Sequence, residues 1–334
     1  MKRLIYSLLL SAAGLPSLFG QHTFSIVAVD TITGEVGSAG ASCLDDVQFP
    51  GSGGAYIISD LLPGIGAIHT QAYWNATNQA NARARMEDGL SPDEISAWLQ
   101  ANDAQGAANV GVRQYGIVAL NPPGGAARAA AYTGQFCQIY RGHRTGLTYA
   151  IQGNILKGKF ILDSMEARFL RAQGTLADRL MACLQGANVV GADTRCTANG
   201  TSSLSAFLRV AKPGDNENAL YLDLNVPSLP AMTEPLDSLQ TLYDNWKLTR
   251  TGDAAVKFEA KIYPNPAQRE LVLQLDGGGG KVRFFDLAGR LAFEQEVVEG
   301  LNLLAPNIQP GVFIVQKKSG QPTGLTPKVF LQII

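Results

Sequence analysis

The order of the predicted helices and strands most constrains how this chain can fold. Before residue 250, strand-like segments surround two helix pairs, at 78–88 with 91–102 and at 159–173 with 176–186. Because helices and strands do not alternate as βαβ units, we expect mostly antiparallel sheets. After residue 250 only short strands are predicted. The sequence therefore predicts an α+β domain with its helices outside the sheets, followed by a small all-β domain.

Alternating apolar and small polar residues locate the strands of the first domain. Residues 22–45 are expected to form a hairpin, and residues 57–72 continue as strand interrupted at Pro63-Gly64. Segments 114–120 and 126–133 are expected to pair across a Pro/Gly-rich turn. Later strands are predicted at 149–156, 203–210 and 219–226, before a short helix at 236–248.

Two helix starts carry a capping signature. Ser91-Pro92-Asp93-Glu94 combines a capping serine, a proline suited to the first helical position and a glutamate that can reach back to the cap. Thr175 is the expected cap of the helix over 176–186, with Asp178 at its third position. These signals predict both starts from local sequence alone.

A small polar stretch at 249–256 is a plausible linker to the second domain. Short strands at regular spacing favour a small β-sandwich over residues 256–334. The predicted strands are 258–263, 270–275, 281–286, 290–297, 312–317 and 328–333.

Residues 1–20 have the organisation of a secretory signal peptide. Lys2 and Arg3 form a basic start, and the apolar run over 4–13 is too short to span a bilayer. Cleavage is predicted after Gly20, with an uncleaved membrane anchor as the alternative. Export to an oxidising compartment is therefore expected.

Four cysteines allow two disulfides in three possible pairings. Cys183 and Cys196 are close in sequence and are separated by a loop of turn-forming residues, which favours a bond between them. Cys43 and Cys137 would then pair by elimination.

Charge and composition argue against several classes of partner. The formal net charge is −1 and aromatic residues make up 8% of the chain, which favours neither nucleic acid nor an anionic membrane. The three histidines are scattered and no Cys-x-x-Cys pair occurs, which disfavours a zinc site. No cofactor is expected.

Thr23 begins a strand just behind the predicted leader. A hydroxyl residue at a new N-terminus can use its own α-amino group, with an ordinary pKa of about 7.7–8.0, as the general base. Gln21 and His22 must first be removed. Cleavage after His22, trimming by an aminopeptidase or self-cleavage before Thr23 would achieve this.

Six sequence blocks stand out within residues 22–250. They are Thr23-Phe24-Ser25-Ile26-Val27-Ala28 with Asp30, Gly34-Glu35-Val36-Gly37-Ser38-Ala39, Thr70-Gln71-Ala72, Gly142-His143, Tyr149-Ala150-Ile151-Gln152-Gly153-Asn154-Ile155-Leu156 and Asp193-Thr194-Arg195. Together they resemble the family called domain of unknown function 1028, which is grouped with the N-terminal-nucleophile (Ntn) hydrolases. The resemblance implies a four-layer αββα sandwich and an amidohydrolase-type site in which Thr23 is the nucleophile.

Acyl transfer needs donors aimed at the developing oxyanion. Asn154, in a turn after a strand, is the first candidate for such a side-chain donor; the alternative is an asparagine that bonds its own backbone. Gln152 is a candidate for binding substrate, or else only joins neighbouring strands. Ser25, Ser42, His69 and His143 are weaker candidates with structural alternatives.

Charged residues supply the remaining candidates for substrate binding. Arg195 could clamp a substrate carboxylate in a bidentate manner, with Asp193 binding a substrate amine. An ordinary loop pair between Asp193 and Arg195 is the alternative. Asp30, at the end of the first strand, could orient that strand or act as an electrostatic partner, or be an ordinary turn residue.

Three sequence blocks stand out in the second domain, namely Ile262-Tyr263-Pro264-Asn265-Pro266, Phe285-Asp286-Leu287-Ala288-Gly289-Arg290 and Pro310-Gly311-Val312-Phe313-Ile314-Val315. In this order and spacing they resemble the C-terminal sorting domain of type IX secretion substrates in the Bacteroidetes. The resemblance implies passage across both membranes with the type IX machinery as a partner. A sandwich that binds carbohydrate or another partner is the alternative.

The leading hypothesis is a secreted Ntn-type hydrolase acting on a small amide or peptide. The competing hypothesis is a non-catalytic secreted or surface protein that binds ligand on the same scaffold. A purely structural envelope protein is a third reading, and a homo-oligomer is left open.

Overall fold

The computed structural model describes residues 23–120, 126–250, 259–263, 270–276, 280–286, 290–318 and 329–333. These residues fall into two compact units, which divide between Leu242 and Tyr243. The predicted leader and most of the predicted linker lie outside the described residues.

The first unit combines antiparallel strands with helices. Its strands are β1 (Thr23–Val29), β2 (Val36–Ser42), β3 (Ser59–Leu62), β4 (Gly66–Ala72), β5 (Arg113–Ala119), β6 (Arg128–Thr133), β7 (Gly142–Gly146), β8 (Tyr149–Gly153), β9 (Ser205–Ala211) and β10 (Leu222–Val226). Its α-helices are α1 (Ala76–Glu87), α2 (Pro92–Ala101), α3 (Lys159–Arg171) and α4 (Leu176–Gln185), and α5 (Pro235–Arg250) begins in this unit and extends past its boundary at Leu242. Short 3-10 helices span Gly54–Ile58, Ala107–Val112 and Thr194–Asn199.

Two antiparallel sheets form the centre of this unit. The larger sheet has the order β10-β9-β2-β1-β8-β7 and the smaller has the order β3-β4-β5-β6. Helices α1 and α2 contact strands of the smaller sheet, and α3 and α4 contact strands of the larger one. Strands β1, β2 and β8 in turn contact β4 and β5. The prediction of mixed helices and antiparallel sheets is therefore confirmed.

The helix starts follow the local signals of the sequence. Ser91 Oγ accepts a hydrogen bond from Glu94 N–H at 3.4 Å, and Glu94 Oε2 accepts one from Ser91 N–H at 2.8 Å. Thr175 and Asp178 form the same reciprocal pair at the start of α4. Helix α1 begins two residues before the predicted position because Asn75 caps it, accepting from Asn78 N–H at 3.0 Å.

Residues on alternating sides of the strands divide between two environments. The outer side of the smaller sheet places Ile117 and Tyr115 in a core shared with Met86 and Leu99 of the helices. The inner sides of both sheets face each other, and Val27 packs there against residues of the smaller sheet. This inter-sheet layer carries the site discussed below.

Some elements depart from the predicted pattern. Residues 57–58 end a 3-10 helix, so the strand expected from 57 onward begins only at Ser59. Strand β7 was not predicted, because Gly142–Gly146 lacks an apolar alternation and is ordered by pairing with β8 at the sheet edge.

The disulfide links Cys43 to Cys196, so the predicted pairings Cys183–Cys196 and Cys43–Cys137 are wrong. Cys183 is buried in α4, whereas Cys196 lies in the 3-10 helix next to the segment that follows β2. The Cα atoms of Cys43 and Cys196 are 5.7 Å apart across a separation of 153 residues. Cys137 and Cys183 are free thiols, and burial raises the pKa of Cys137 to about 11.

The second unit is built from short antiparallel strands close to the predicted positions, with one further strand, β15. The strands are β11 (Glu259–Tyr263), β12 (Leu271–Asp276), β13 (Gly280–Phe285), β14 (Leu291–Val297), β15 (Gly300–Leu304), β16 (Gly311–Lys318) and β17 (Val329–Ile333). They form sheets of order β11-β12-β15 and β14-β13-β16-β17. Buried residues of both sheets, including Leu273, Phe284 and Leu304, share one core.

Candidate active site

Both sheets of the first unit end near Thr23. In the larger sheet Thr23 pairs with Ser42, and the neighbouring Phe24 pairs with Gly153. In the smaller sheet Gln71, one residue before the end of β4, reaches across to the backbone of Thr23. We call this side of the inter-sheet layer the Thr23 end, and the opposite side, beyond Val27, the Val29 end.

Thr23 is held through its carbonyl group. The Thr23 carbonyl oxygen accepts hydrogen bonds from Gln71 Nε2 at 3.1 Å and from the backbone N–H of Asn154 at 3.3 Å. The residue is 0% exposed, yet its Oγ1 has no hydrogen-bond partner among the described residues. A buried hydroxyl without a partner is unfavourable, so this atom stands out from its surroundings.

Three side-chain amides join behind the Thr23 carbonyl. Gln114 Oε1 accepts from Gln71 Nε2 at 2.8 Å and from Asn154 Nδ2 at 2.9 Å. Gln114 Nε2 donates to the carbonyl oxygens of Gly142 and Gly153, which fixes the orientation of its amide. The cluster thereby connects the predicted residue Asn154 to two glutamines to which the sequence assigned no role.

Next to this cluster lie Ser25 and His69, and the surrounding hydrogen bonds determine which of the two donates to the other. Because the Thr23 carbonyl can only accept, Gln71 must turn its Nε2 toward Thr23 and its Oε1 toward Ser25. Ser25 Oγ therefore donates its single hydrogen to Gln71 Oε1, at 2.5 Å. The 2.9 Å bond between Ser25 Oγ and His69 Nδ1 then requires a hydrogen on Nδ1, so the 3.2 Å approach of Gln152 Nε2 to the same Nδ1 is not a hydrogen bond.

His69 is neutral in this environment. Burial, with the positive charge of Arg209 as a second cause, lowers the pKa of His69 to about 3. With its hydrogen on Nδ1, the ring accepts at Nε2 from Ser38 Oγ at 2.6 Å. Ser38 Oγ in turn accepts from Ser59 Oγ at 2.8 Å, and Ser59 Oγ from Arg209 Nη1 at 3.1 Å.

Ser25 and His69 lie as close as a nucleophile and its general base, but their bonding excludes that role here. A base must offer a lone pair to the hydroxyl, whereas His69 Nδ1 donates to Ser25 Oγ. Gln152 Nε2 also donates to Ser25 Oγ, at 2.7 Å, so this hydroxyl has one donated and two accepted hydrogen bonds. The Ser25 hydroxyl thus uses its hydrogen and both of its lone pairs in these bonds.

Gln152 occupies space that only glycine leaves free. Its side chain lies against Gly116 of β5, where an added Cβ would overlap Gln152 Oε1. Gln152 Oε1 is buried and has no partner in the described part of the chain. Gln152 therefore joins the two sheets, as one of the sequence alternatives expected, and it keeps one unused acceptor.

Asp193 and Arg195 form a pair with each other. Arg195 Nη2 lies 2.5 Å from Asp193 Oδ2, and Asp193 also accepts from the backbone N–H of Cys43 at 3.0 Å. Asp193 is fully buried, while 27% of the Arg195 side chain is exposed. The pair adjoins the disulfide of Cys43 and the loop that carries Asn154, because Thr194 N–H donates to the carbonyl of Ile155 at 3.0 Å.

The structure does not bring Asp30 to Thr23. The two residues lie at opposite ends of β1, about 23 Å apart for seven extended residues. Asp30 Oδ1 accepts from the backbone N–H groups of Ile32 and Thr33, at 2.8 and 3.1 Å, as a turn residue does. The substrate role predicted for Asp30 is therefore corrected to a turn between β1 and β2.

Two residues near Thr23 have left-handed backbone conformations although they carry a Cβ. Ala72, directly after Gln71, has φ 64°, and Ile155, directly after Asn154, has φ 53°. Such a conformation is costly for a β-branched residue and commonly occurs at functional sites. Both turns end a strand at the Thr23 end and set the direction in which Gln71 and Asn154 enter the layer.

Sequence reasoning missed several members of this network, namely Gln71, Gln114, Ser38, Ser59 and Arg209. Their signal in the sequence is a polar residue at every second position near one end of a strand, as in Gln71 and His69 of β4. Among the described residues, no group of three or more His, Cys, Asp and Glu side chains is placed to hold a metal ion.

The family of the chain follows from its similarity to known proteins. Residues 23–237 match the model of DUF1028, a family of unknown function. The chain therefore belongs to that family, as its sequence blocks predicted. A search of functionally curated proteins finds no significant match.

A DUF1028 protein from Silicibacter pomeroyi has a similar crystal structure. It is 24% identical, with a TM-score of 0.52, over 67% of this chain and 88% of that one. This likeness supports the fold alone. Dimeric latent PorU from Porphyromonas gingivalis gives a TM-score of 0.21 at 13% identity, over 66% of this chain and 24% of PorU, which is too low to bear on the fold.

Residues 261–332 match the secretion-system C-terminal sorting domain. The chain is therefore a secreted or cell-surface protein, and its tail implies interaction with the type IX secretion machinery. In the described ranges no helix is long and apolar enough to cross a membrane.

Proposed function

We propose that this protein is a secreted amide-bond hydrolase of the N-terminal-nucleophile type. After residues 1–20 are cleaved and Gln21 and His22 removed, Thr23 Oγ1 attacks the carbonyl carbon of a small amide or peptide. The α-amine of Thr23 takes the hydroxyl proton and passes it to the leaving amine. Water then hydrolyses the ester formed on Thr23, and the hydroxyl is regenerated.

The observation that carries the proposal is the environment of Thr23 Oγ1. Among the described residues this buried hydroxyl at the start of β1 has no partner, whereas Ser25, two residues on, has three. A nucleophile must keep its lone pairs for the substrate, so an unbonded hydroxyl beside a firmly held carbonyl fits this role. The buried hydroxyl of Thr70 also lacks a partner, but it lies on the opposite side of β4 from Gln71.

We propose that Asn154 completes the site as the oxyanion donor. Its Nδ2 group donates to Gln114 Oε1, which also accepts from Gln71 Nε2, so the Asn154 amide is held in the cluster behind the Thr23 carbonyl. Gln152, with an unused buried acceptor, is the candidate for binding a donor group of the substrate. Arg195 is the candidate for an anionic group, with Asp193 holding its guanidinium in place rather than binding a substrate amine.

The contacts between the helix pairs and the two sheets support a four-layer αββα arrangement of the Ntn type. On this proposal the catalytic domain spans residues 22–250 and the sorting domain spans 256–334. The same scaffold could bind a ligand without turnover, and the experiment below separates the two functions.

Mass spectrometry of the protein recovered from the medium, combined with a β-lactone probe, tests the proposal. We expect a mature chain that begins at Thr23. Ring opening of the lactone would break its ring C–O bond, form an ester on Thr23 Oγ1 and protonate the released ring oxygen. The mass of the N-terminal peptide would then rise by that of the whole probe.

Substitution of Thr23 should confirm that it is the residue that the probe modifies. Thr23→Ala is expected to abolish labelling, and Thr70→Ala is the matched control because it removes another buried, unpartnered threonine hydroxyl. A stable chain that begins at Gln21, or a wild-type protein that the probe leaves unmodified, would contradict catalysis by Thr23 and favour the binding function.

A further inference from the structure

We propose that His69 is a positioning residue, which acts through Ser25 and Gln71 to hold Thr23 in the orientation that its reaction needs. The inference rests on the proposed function, because it assigns His69 a part in the same site. The observation behind it is the continuous, directed chain of hydrogen bonds that runs from Arg209 to the Thr23 carbonyl.

Every bond of this chain has one donor and one acceptor when His69 carries its hydrogen on Nδ1. Arg209 donates to Ser59, Ser59 to Ser38, and Ser38 to His69 Nε2. His69 Nδ1 then donates to Ser25, and Ser25 to Gln71. Hydrogen bonds aligned in one direction polarise and strengthen each other in a buried environment. The ring of His69 is the link at which the chain passes from β2 to β1.

The outer end of the chain is anchored by a charged group. Arg209 lies 3.4 Å from Asp223 at ion-pair distance, and its guanidinium stacks 4.3 Å above the ring centre of Tyr56. Tyr56 donates to the same carboxylate at 2.8 Å. A guanidinium stays protonated at any ordinary pH, so it always donates to Ser59, which agrees with the direction that the Gln71 amide fixes at the other end of the chain.

An N-terminal nucleophile has a particular need for such a chain. Once Gln21 and His22 are removed, no preceding peptide holds the backbone of Thr23. Its carbonyl group, with bonds from Gln71 and from Asn154 N–H, becomes its main fixed point. A small misplacement of a reacting group can reduce a rate substantially. The orientation of the Gln71 amide therefore affects where the Thr23 amine and hydroxyl lie.

Two substitutions of His69 separate positioning from packing. His69→Asn places an amide where Nδ1 lies and keeps a donor for Ser25, whereas His69→Gln reaches the Nε2 position and keeps only the acceptor for Ser38. Because glutamine fills the space of histidine better, a packing role predicts that glutamine is tolerated best. The positioning role predicts the reverse order.

The rate of Thr23 acylation by the β-lactone measures this order. His69→Gln is expected to slow the reaction by about tenfold, a loss typical of one buried hydrogen bond, and His69→Asn by clearly less. Ser96→Ala, a buried serine of α2 outside the chain, should leave the rate unchanged. Equal losses in both His69 variants, or a larger loss with asparagine, would show that His69 only fills space.

Two spectroscopic measurements do not depend on catalysis. In ¹⁵N-histidine-labelled protein, long-range correlation spectra should show His69 neutral with its hydrogen on Nδ1; a hydrogen on Nε2 would overturn the inference. With the Thr23–Phe24 peptide labelled, the ¹³C shift of the Thr23 carbonyl should move in His69→Gln and not in Ser96→Ala. An unmoved carbonyl would refute the positioning of Thr23 by His69 even if the wild-type protein proves inactive.

Discussion

The two ends of the inter-sheet layer carry side chains of opposite polarity, although the same strands supply both. At the Val29 end, β1 contributes Val27 and Val29, which pack with Leu61, Ala67 and Val118. At the Thr23 end, the inner side chains are hydroxyls, amides and an imidazole, and nearly all of them are bonded to one another. The change occurs within single strands, as between Ser25 and Val27 of β1 or between His69 and Ala67 of β4.

This contrast indicates that the Thr23 end is not built for stability. Apolar side chains stabilise a buried layer in proportion to the area they remove from water, as they do at the Val29 end. A hydrogen bond in a buried polar network contributes only about 0.5–1.5 kcal/mol net, and each unbonded atom costs about 1–3 kcal/mol. A chain under no constraint but folding would extend the valines along the whole layer, so the polar end points to function.

The largest expected difference between the two ends comes from the disulfide. Cys43 directly follows Ser42, the partner of Thr23, so the bond between Cys43 and Cys196 ties down the Thr23 end. Replacing both cysteines by serine should lower the free energy of unfolding by up to about 5 kcal/mol in the chain-entropy model for a loop of this length.

Denaturant titration measures this change, and hydrogen exchange locates it. Amide protection should fall more around Thr23 and Asn154 than around Val29. Uniform loss of protection along β1 would contradict the special dependence of the Thr23 end on the disulfide. The matched control is Cys137→Ser with Cys183→Ser, which replaces the two buried free thiols.

Acid should weaken the Thr23 end specifically through His69. Unfolded histidine binds its proton near pH 6.5, whereas the buried ring does so only at about 3. The unfolded state therefore binds more protons between these values, and stability is full above pH 6.5 and lost as the pH falls. The slope is about 1.4 kcal/mol for each pH unit, or about 3 kcal/mol by pH 4.

Thermal unfolding of the wild-type protein and of His69→Asn across this range isolates the effect. The variant lacks the titrating ring, so its stability should fall less steeply between pH 6.5 and 4, while carboxylates contribute equally to both. Parallel curves would mean that His69 is protonated in the folded protein at mild pH. That result would contradict the lowering of its pKa by burial and by the nearby charge of Arg209.

A third test concerns Gly116, which lies on β5 between Gln114 of the polar end and Val118 of the apolar end. Gly116→Ala places a methyl group against the Gln152 amide, and overpacking of this kind costs about 1–3 kcal/mol. Urea titration gives the change in stability, and the Thr23 acylation rate should fall with it because Gln152 also bonds Ser25.

Gly89→Ala controls for the loss of a glycine, since its Cβ would meet open space, although its φ of 84° adds strain of its own. A smaller loss at Gly116 than at Gly89 would contradict the close approach of Gln152.

The fold was predictable from the sequence where local signals decide it. Ser91 and Thr175 mark helix starts through bonds that span three residues, and both predictions are confirmed. The disulfide was predicted wrongly because nearness along the chain favoured Cys183, whereas the folded chain joins cysteines 153 residues apart. The bond depends on where β2 ends relative to the 3-10 helix, and no local pattern contains that information.

The same limit applies to the site. Thr23 and Asn154 were predicted as site residues from their sequence blocks, and the pairing of β1 with β8 brings the backbone N–H of Asn154 to the carbonyl of Thr23. Asp30 belongs to the same block as Thr23, but an extended strand carries it to the opposite end of the layer. Gln71 and Gln114 were missed because their importance arises from contacts across two sheets, which alternation along one strand does not reveal.

The smallest expected change in stability, that of Thr23→Val, belongs to a pair of substitutions that exchange side chains of equal shape between the two ends. Val29→Thr puts a hydroxyl into the apolar end, where Val29 packs with Leu61 and Val118 and lies opposite Val36, and should lower stability by about 1–3 kcal/mol. Thr23→Val removes a hydroxyl that has no partner among the described residues and should leave stability unchanged or slightly raised, while ending acylation. Chemical denaturation of both variants, prepared with the same N-terminus, gives the two values. If Thr23→Val destabilised the protein as much as Val29→Thr, the Thr23 hydroxyl would be a bonded structural group, and its availability for attack on a substrate would be refuted together with the contrast between the two ends.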